Sequence, residues 1–496
     1  MKKFEKLIII LIFILGIALR SVEVLNKNYL FGFDNGRDYL AVQRMVNEKR
    51  PTLIGSEVGA GFAGLSGIFQ GPYYYYSLIL PFLIFKGDPY GGLLLMFLLG
   101  VAAMVLFYFV VRKIFGGKVA LIASFLIAVS PPITSQSRFI WNHHPTTFFI
   151  PLVFLTVYLL PKHIMRIFFV ANIITGIIYG FELAISVPLL ITLYLYTFLV
   201  LRVRTVKVYL FGLLGAIIAH LPFFIFEARH GFMATRSLTT VITNQLTGKG
   251  TTNMPDLFTR HLADFWNNYQ STFLLSGKLS FILLFLMIYL MHRFLKKKKE
   301  TNLENFIVFL LLLPLMTFVV FLFLNNTVWD YYLIHLHLAY IILFSYLLVN
   351  GSWLKGKILL ALLFVLMLPG VGREINRAIN DYSDFGGTAK IKGKIEAVDY
   401  IYKDAGGENF NLLVFTPPVY DYAYRYLFDW YGVRKYHYLP GDKKEGLYYL
   451  LIEPESSGLW HKGWLETVIG PGNVLKEITI PSGFIIQKRN DSNKKI

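Results

Sequence analysis

The chain has 496 residues, of which 55% are hydrophobic and only 16% are charged, so it is too apolar for a soluble globular protein. Several stretches of about 18 or more mostly apolar residues are long enough to cross a bilayer core. The net charge of +18 does not indicate nucleic-acid binding, because the basic residues lie in short clusters between apolar stretches. The absence of cysteine excludes disulfides, a thiolate nucleophile and cysteine-ligated metals.

The basic clusters predict the topology. The first span covers about residues 7–25, and the lysines before it place the N-terminus in the cytoplasm. The apolar stretch 72–85 is short for a span and predicts a re-entrant or interfacial helix. Every strong basic cluster between spans, including Lys296–Lys299, then falls on the cytoplasmic side. The pattern predicts about eleven transmembrane helices within residues 1–371 of an all-α polytopic membrane protein.

Two predicted extracytoplasmic regions carry much of the polar chemistry. The first outer loop, residues 26–89, contains a charged cluster and a predicted helix from Asn35 to Glu48. The tail, residues 372–496, has a soluble composition and is predicted to form a small extracytoplasmic α/β domain. Its predicted elements, in the order helix, strand, helix, strand, are Lys394–Lys403, Asn411–Phe415, Val419–Tyr431 and Leu447–Ile452.

The charged cluster of the first outer loop contains Asp34, Arg37 and Asp38. Asp34 emerges close to the end of a span, where a carboxylate is suited to act as a general base. It is equally suited to capping the helix that follows it. Arg37 and Asp38 either bind substrate or form a salt bridge that holds the loop in shape.

A second constellation follows the third predicted span, in the run from Ser137 to Pro145. Arg138 is a candidate phosphate ligand, because a guanidinium donates forked hydrogen bonds to phosphate oxygens. An interfacial arginine beside an anchoring tryptophan is the alternative. Asn142 and His143 lie in the same run, and the adjacent histidines His143 and His144 are a poor metal pair because their side chains point in different directions.

Three further polar residues lie close to the outer ends of spans. Glu182 is an acid near membrane depth, which makes it a functional candidate, although a hydrogen-bond partner within the bundle is an equal alternative. Arg229 and His230 place cations outside the bilayer. Together with the aromatic residues nearby, these segments predict a pocket for an anionic lipid headgroup and a sugar.

These motifs, in this order and on this side of the membrane, resemble the GT-C superfamily of integral-membrane glycosyltransferases, in its protein O-mannosyltransferase and aminoarabinose-transferase branch. The resemblance covers roughly residues 1–350. It rests on Asp34 to Asp38, on the helix start Gly71-Pro72-Tyr73-Tyr74-Tyr75-Tyr76, on the stretch from Phe115-Gly116-Gly117 through Ser130-Pro131-Pro132 to Ser137-Arg138, and on Pro222 to Phe232.

The resemblance implies transfer of a sugar from a polyprenyl-phosphate donor to a lipid, glycan or protein hydroxyl, with inversion, at the outer face of the cell membrane. Asp34 would be the catalytic base, and cations such as Arg138 and Arg229 would stabilise the departing phosphate. The implied substrate-binding residues are Arg37, Asp38, Tyr74, Arg138, Asn142, His143, Glu182, Arg229 and His230.

Metal use and the type of reaction stay open at the level of sequence. Some branches of the superfamily use a divalent metal, but the second outer loop here reads Trp141-Asn142-His143-His144 where the family often has an acid. A transporter or flippase of lipid-linked glycans is the main alternative function, although such a protein is expected to show inverted repeats. A ligase or polymerase of lipid-linked glycans is a further alternative, and its chemistry is closer to that of a glycosyltransferase.

Overall fold

The computed structural model describes residues 3–61, 66–247, 254–296, 301–323, 328–351, 354–417 and 419–491; Lys297–Lys299 of the predicted cytoplasmic cluster lie outside them. Nineteen helices come before the C-terminal domain in the described chain. They are α1 (Lys3–Arg20), α2 (Val22–Asn26), α3 (Phe33–Glu48), α4 (Tyr73–Ile84), α5 (Tyr90–Phe115), α6 (Gly117–Val129), α7 (Pro131–Thr134), α8 (Thr146–Leu159), α9 (Ile164–Tyr179), α10 (Leu183–Leu195), α11 (Val206–Ala219), α12 (Leu221–Arg229), α13 (Met233–Leu246), α14 (Met254–Thr272), α15 (Gly277–Leu295), α16 (Asn302–Phe321), α17 (Ile334–Asn350), α18 (Leu354–Leu366) and α19 (Leu368–Ser383).

The helical bundle has the length and composition of a polytopic membrane protein, as predicted. Within the described residues, six helices are long and apolar enough to cross a membrane, or up to eight if each of two bent helix pairs is one span. The helices α4, α8 and α9 are apolar but shorter. The count of eleven spans stays a prediction, because it requires α1 and the short helices α8 and α9 to cross the membrane while α4 does not.

Proline accounts for the two bent pairs. The axes of α6 and α7 differ by 70° across the start of Pro131-Pro132, and those of α11 and α12 differ by 71° at Pro222. Proline lacks a backbone N–H and clashes with the preceding turn, so it starts a new helix more readily than it continues one. The first bend leads the chain directly into the second outer loop, residues 134–145.

The C-terminal domain has a four-stranded mixed sheet in the order β1-β2-β4-β3. The pair β1–β2 is parallel, whereas β2–β4 and β3–β4 are antiparallel. The predicted first helix and both predicted strands are confirmed, while β3 and β4 are additional. The elements are α20 (Ile391–Ala405), β1 (Asn411–Phe415), α21 (Tyr422–Leu427), α22 (Val433–Tyr436), β2 (Gly446–Ile452), α23 (Leu459–Trp464), β3 (Asn473–Thr479) and β4 (Ile485–Asp491).

The C-terminal domain packs directly on the first outer loop. A Cβ atom at Gly36 of α3 would lie under 3.0 Å from backbone atoms of Tyr422 and Ala423, so only glycine permits this approach. The Phe33 ring stacks on Tyr420 with centroids 5.3 Å apart, and Leu30 forms an antiparallel bridge with Lys390. These contacts hold the start of α3 against the domain.

The predicted boundary between the two domains, at residue 371, lies inside α19. This helix continues to Ser383, and the α/β elements begin at Ile391. One hydrophobic core joins the first outer loop to the α/β domain, with Phe31 and Tyr39 packing among Tyr426, Leu427 and their neighbours. The division at residue 371 stays a prediction. The first outer loop and the α/β domain share one hydrophobic core, so a boundary at a single position does not separate them.

Candidate active site

Asp34 lies in the first turn of α3, and the Asn35 side chain fixes that turn. Asn35 Oδ1 accepts a hydrogen bond from the Gly32 N–H at 2.8 Å, and Asn35 Nδ2 donates one to the Ile140 carbonyl at 2.5 Å. Since Ile140 belongs to the second outer loop, Asn35 ties the two loops together beside Asp34. The N-cap residue is Gly32, so Asp34 does not cap α3. Its carboxylate lies inside the first turn, where the helix dipole favours an acid.

Arg37 bridges the two carboxylates of the cluster. Its Nη1 lies 2.8 Å from Asp34 Oδ1, and its Nη2 lies 2.7 Å from Asp38 Oδ1, which also accepts from the Tyr75 hydroxyl at 3.2 Å. The Asp38 side chain is 1% exposed and that of Asp34 is 33% exposed. Burial raises the pKa of Asp38 to about 6, although Arg37 opposes the rise. Asp38 therefore holds Arg37 from the buried side, and Asp34 is the accessible carboxylate.

A cavity of about 370 Å³ lies against Asp34, where three parts of the chain meet. This volume is within the range of small-molecule sites. The first outer loop contributes Leu30, Gly32, Phe33, Asp34 and Asn35, the second contributes Phe139, Ile140 and Trp141, and the C-terminal region contributes Ala389, Lys394 and Glu453. The accessible acid, three aromatic rings and a lysine–glutamate pair therefore face one space.

An aromatic cluster backs the second outer loop. The rings of His143 and Tyr331 are stacked, with centroids 4.5 Å apart, and Trp141 lies 4.9 Å from Tyr331. Burial lowers the pKa of His143 well below its usual value, so the ring is neutral at neutral pH. His144 is perpendicular to His143 and bonds to the Phe139 carbonyl at 2.7 Å. As predicted, the two adjacent histidines point in different directions.

Glu182 is a buried acid held by neutral groups. Its Oε1 accepts from Gln70 Nε2 at 2.9 Å, and its Oε2 accepts from Asn142 Nδ2 at 3.3 Å. It also caps α10 by accepting from the Ala184 N–H. Burial raises the pKa of Glu182 to about 7, because these hydrogen bonds only partly offset the cost of desolvation. Tyr331 interacts electrostatically with both Glu182 and Asp34, so this network adjoins the Asp34 site.

Arg138 is already paired. Its Nε and Nη2 donate to Glu23 at 2.7 and 2.5 Å, and Nη2 also donates to Asp381 at 2.7 Å. These contacts join α2, the second outer loop and α19. Arg138 therefore holds these elements together, and its role in binding phosphate stays a prediction.

The remaining predicted residues lie apart from the cavity. Arg229 and His230 are exposed at the end of α12, and the His230 ring stacks on Phe226 with centroids 4.2 Å apart. Tyr74 is buried in α4, and its hydroxyl has no hydrogen-bond partner among the described residues. None of these three lines the cavity beside Asp34.

Two charged residues of the site were not predicted: Lys394 and Glu453. Lys394 carried a readable signal, because it occupies a position on the apolar face of α20, between Ile391 and Val398, where a charge is out of place. Glu453 directly follows β2 and had no local signal.

A metal site does not form from the residues that are described. No three His, Asp or Glu side chains among them are grouped as metal ligands. At the position where a metal would join Asp34 and Asp38, the Arg37 guanidinium contacts both. The residues present therefore do not fit a metal at this cluster.

Comparisons with known proteins agree with this architecture. Residues 69–226 match the family model described as dolichyl-phosphate-mannose-protein mannosyltransferase. No curated protein matches the chain in sequence. The crystal structure of ArnT from Cupriavidus metallidurans bound to undecaprenyl phosphate is 12% identical, covers 97% of both chains and superposes with a TM-score of 0.56.

A second similar structure is the oligosaccharyltransferase AglB from Archaeoglobus fulgidus in complex with an inhibitory peptide and a dolichol-phosphate. It is 14% identical, with a TM-score of 0.50 over 100% of this chain and 75% of that one. The chain thus has the GT-C fold of membrane glycosyltransferases, and the resemblance predicted from its motifs is confirmed.

Proposed function

We propose that this protein transfers a sugar from a polyprenyl-phosphate donor to an acceptor hydroxyl outside the cytoplasmic membrane, with inversion at the anomeric carbon. The observation that carries the proposal is the accessible Asp34 carboxylate on a cavity walled by aromatic side chains, in a GT-C fold. Two proteins of similar fold, ArnT and AglB, bind undecaprenyl phosphate and a dolichol-phosphate. A polyprenyl-phosphate carrier suits an enzyme whose helices reach into the bilayer.

Asp34 acts as the general base. Its carboxylate removes the proton of the acceptor hydroxyl as that oxygen forms a bond to the anomeric carbon. The bond from the anomeric carbon to the phosphate oxygen breaks, and polyprenyl phosphate leaves with the bonding electrons. Arg37 fixes the orientation of the Asp34 carboxylate from 2.8 Å, and Asp38 fixes Arg37. Orientation of this kind supplies a large part of catalysis.

Different residues bind the two ends of the donor. Arg229 and His230, exposed at the end of α12, contact the departing phosphate in this proposal. Because they do not line the cavity beside Asp34, this role requires the donor phosphate to extend from that cavity towards α12. Glu182, held by Asn142, binds sugar hydroxyls beside the His143 and Tyr331 rings. Tyr74 supports the buried side of the Arg37 and Asp38 pair from α4.

The proposal requires the site to lie outside the cell. In the cysteine-free chain, single-cysteine variants Lys118→Cys and Asp442→Cys have unique thiols at exposed positions. A membrane-impermeant maleimide applied to intact cells should label Asp442→Cys and leave Lys118→Cys unlabelled until the membrane is permeabilised. The reverse pattern would place the C-terminal domain in the cytoplasm and overturn the orientation.

The reaction itself is tested with purified protein and a panel of polyprenyl-phosphate sugars. Mass spectrometry of the lipid fraction follows the loss of each donor and the release of polyprenyl phosphate. Consumption of one donor, with an acceptor glycoside of inverted anomeric configuration, is the expected result. If no donor is consumed in the presence of a cell-envelope extract, the proposal is wrong and transport or ligation of a lipid-linked glycan becomes the better account.

A further inference from the structure

Lys394 is a buried cation that the proposed chemistry does not use. It lies in the first turn of α20, its side chain is 3% exposed, and burial lowers its pKa. A lysine is rarely buried to this extent unless it is paired, and the first turn of a helix is an unfavourable place for a positive charge. The packing of α20 would be served better by an apolar side chain at this position.

The partners of Lys394 do not saturate it. Its Nζ donates to the Tyr424 hydroxyl at 2.7 Å, while the nearest oxygen of Glu453 is 3.5 Å away. Tyr424 donates its hydroxyl hydrogen to the same Glu453 oxygen at 2.7 Å. An ammonium group has three N–H donors, and a carboxylate accepts about four hydrogen bonds. The pair therefore retains capacity to donate and to accept hydrogen bonds, and both residues line the cavity.

The pair lies in the same cavity as Asp34. Lys394 and Glu453 line this cavity together with the loop residues that carry Asp34. The pair is fixed relative to Asp34 because α3 packs on α21 at Gly36 and because Leu30 pairs with Lys390. The C-terminal domain thus supplies part of the proposed active site.

The composition of the cavity selects among acceptors. Its charged lining consists of Asp34, Glu453 and Lys394. Asp34 is paired with Arg37 and Glu453 with Lys394, so these residues provide no excess of positive charge to bind an anionic acceptor. Phe33, Phe139 and Trp141 add aromatic surface. A hydrogen-bond acceptor and a donor beside aromatic faces match a ring that carries several hydroxyl groups. A peptide hydroxyl would use only one of these polar groups.

We propose that Lys394 and Glu453 form the acceptor subsite and that the acceptor is an uncharged sugar residue of a glycan. Glu453 accepts hydrogen bonds from its hydroxyl groups, Lys394 donates to a hydroxyl or ring oxygen, and the reacting hydroxyl is directed at Asp34. This inference rests on the proposed function, since it names the acceptor class of that reaction.

The test uses the full-length protein in detergent with the donor identified in the panel above. Maltotriose, mannotriose and chitotriose are offered as uncharged acceptors, galacturonic acid trimer as an anionic one, and a threonine-containing peptide as a third class. Transfer to at least one uncharged trisaccharide, with little to the anion or the peptide, is expected. Transfer only to the peptide or only to the anion would overturn the acceptor assignment and leave the proposed function intact.

The variants Lys394→Met and Glu453→Gln then test the subsite. Each should raise the acceptor KM about tenfold or more, as expected for a lost hydrogen bond to a charged group, with the donor KM and the slow transfer of sugar to water unchanged. Lys435→Met is the matched control, because Lys435 contacts a carboxylate and a tyrosine in the same way, 2.9 Å from Asp399 and 2.8 Å from the Tyr431 hydroxyl, away from the cavity.

A purely structural role for Lys394 predicts a different pattern. Lys394→Met would then lower thermal stability and reduce transfer to glycan and to water together, and Glu453→Gln, which preserves side-chain shape, would leave the acceptor KM unchanged. That pattern would overturn the inference. If Lys394→Met does not fold, Glu453→Gln alone decides. Failure of the wild-type protein to consume any donor would instead refute the proposed function.

Discussion

Substitution of Gly36 tests whether activity requires the packing of the C-terminal domain on α3. In Gly36→Ala the new Cβ would lie under 3.0 Å from backbone atoms of Tyr422 and Ala423, and backbone cannot move aside as a side-chain end can. Overpacking of this kind costs about 1–3 kcal/mol. Alanine recovers roughly 0.5–1 kcal/mol in a helix interior. At the midpoints of these ranges the net loss in the free energy of unfolding is about 1.25 kcal/mol, which lowers the folded population relative to the unfolded one about 8-fold.

The assay combines thermal unfolding in detergent with sugar transfer. Gly36→Ala should unfold at a lower temperature than wild type. It should also raise the acceptor KM, because the distance between Asp34 and the Lys394–Glu453 pair is no longer fixed. Gly463→Ala is the control, since a Cβ there meets nothing within 4 Å in the short helix α23. A Gly36→Ala protein with wild-type unfolding temperature and transfer would refute the claim that this joint builds the site.

Two further substitutions test the polar networks. The raised pKa of Glu182, about 7 against 4.5, means that the folded protein binds an extra proton between those values, so this group's contribution to stability falls as pH rises through that window. Glu182→Gln should therefore gain stability relative to wild type between pH 5 and pH 8 in thermal unfolding, and a pH-independent difference would contradict the buried, charge-free environment. Arg138→Lys should lower the unfolding temperature, because lysine cannot reproduce the fork to Glu23 and the bond to Asp381. The donor KM of Arg138→Lys should equal that of wild type. A raised donor KM at unchanged stability would instead support a role for Arg138 in binding the donor phosphate.

The sequence was informative wherever local pattern determined the structure. Apolar length predicted the membrane helices, and α3 was expected over Asn35–Glu48 and is observed over Phe33–Glu48. The strand β1 was predicted with its exact bounds, because a short apolar run flanked by glycine and proline is typical of a buried strand. Helix α14 was not among the predicted elements, although Phe265 and Tyr269 on one face pack into the main core. The opposite face of α14 is polar, so the segment lacks the continuous apolar run by which the other helices were predicted.

What the sequence did not predict depends on long-range contacts. Asp34 was identified from its position after a span, but its neighbours in the cavity come from residues more than 100 positions away. Arg138 was predicted as a phosphate ligand or an interfacial arginine, and nothing local indicates that Glu23 and Asp381 converge on it. Lys394 was visible only as a charge on an apolar helix face, and its meaning required knowing what that face packs against.

The claim at the centre of this account is that Asp34 is the base for sugar transfer. The most direct measurement is the rate at which Asp34→Asn releases polyprenyl phosphate from the consumed donor, compared with wild type and with Glu48→Gln, an exposed acid at the other end of α3. General-base catalysis contributes about 10²–10⁴-fold, so Asp34→Asn should be at least about 100-fold slower. Glu48→Gln should match wild type. An Asp34→Asn protein that turns over within a few-fold of wild type would contradict the account.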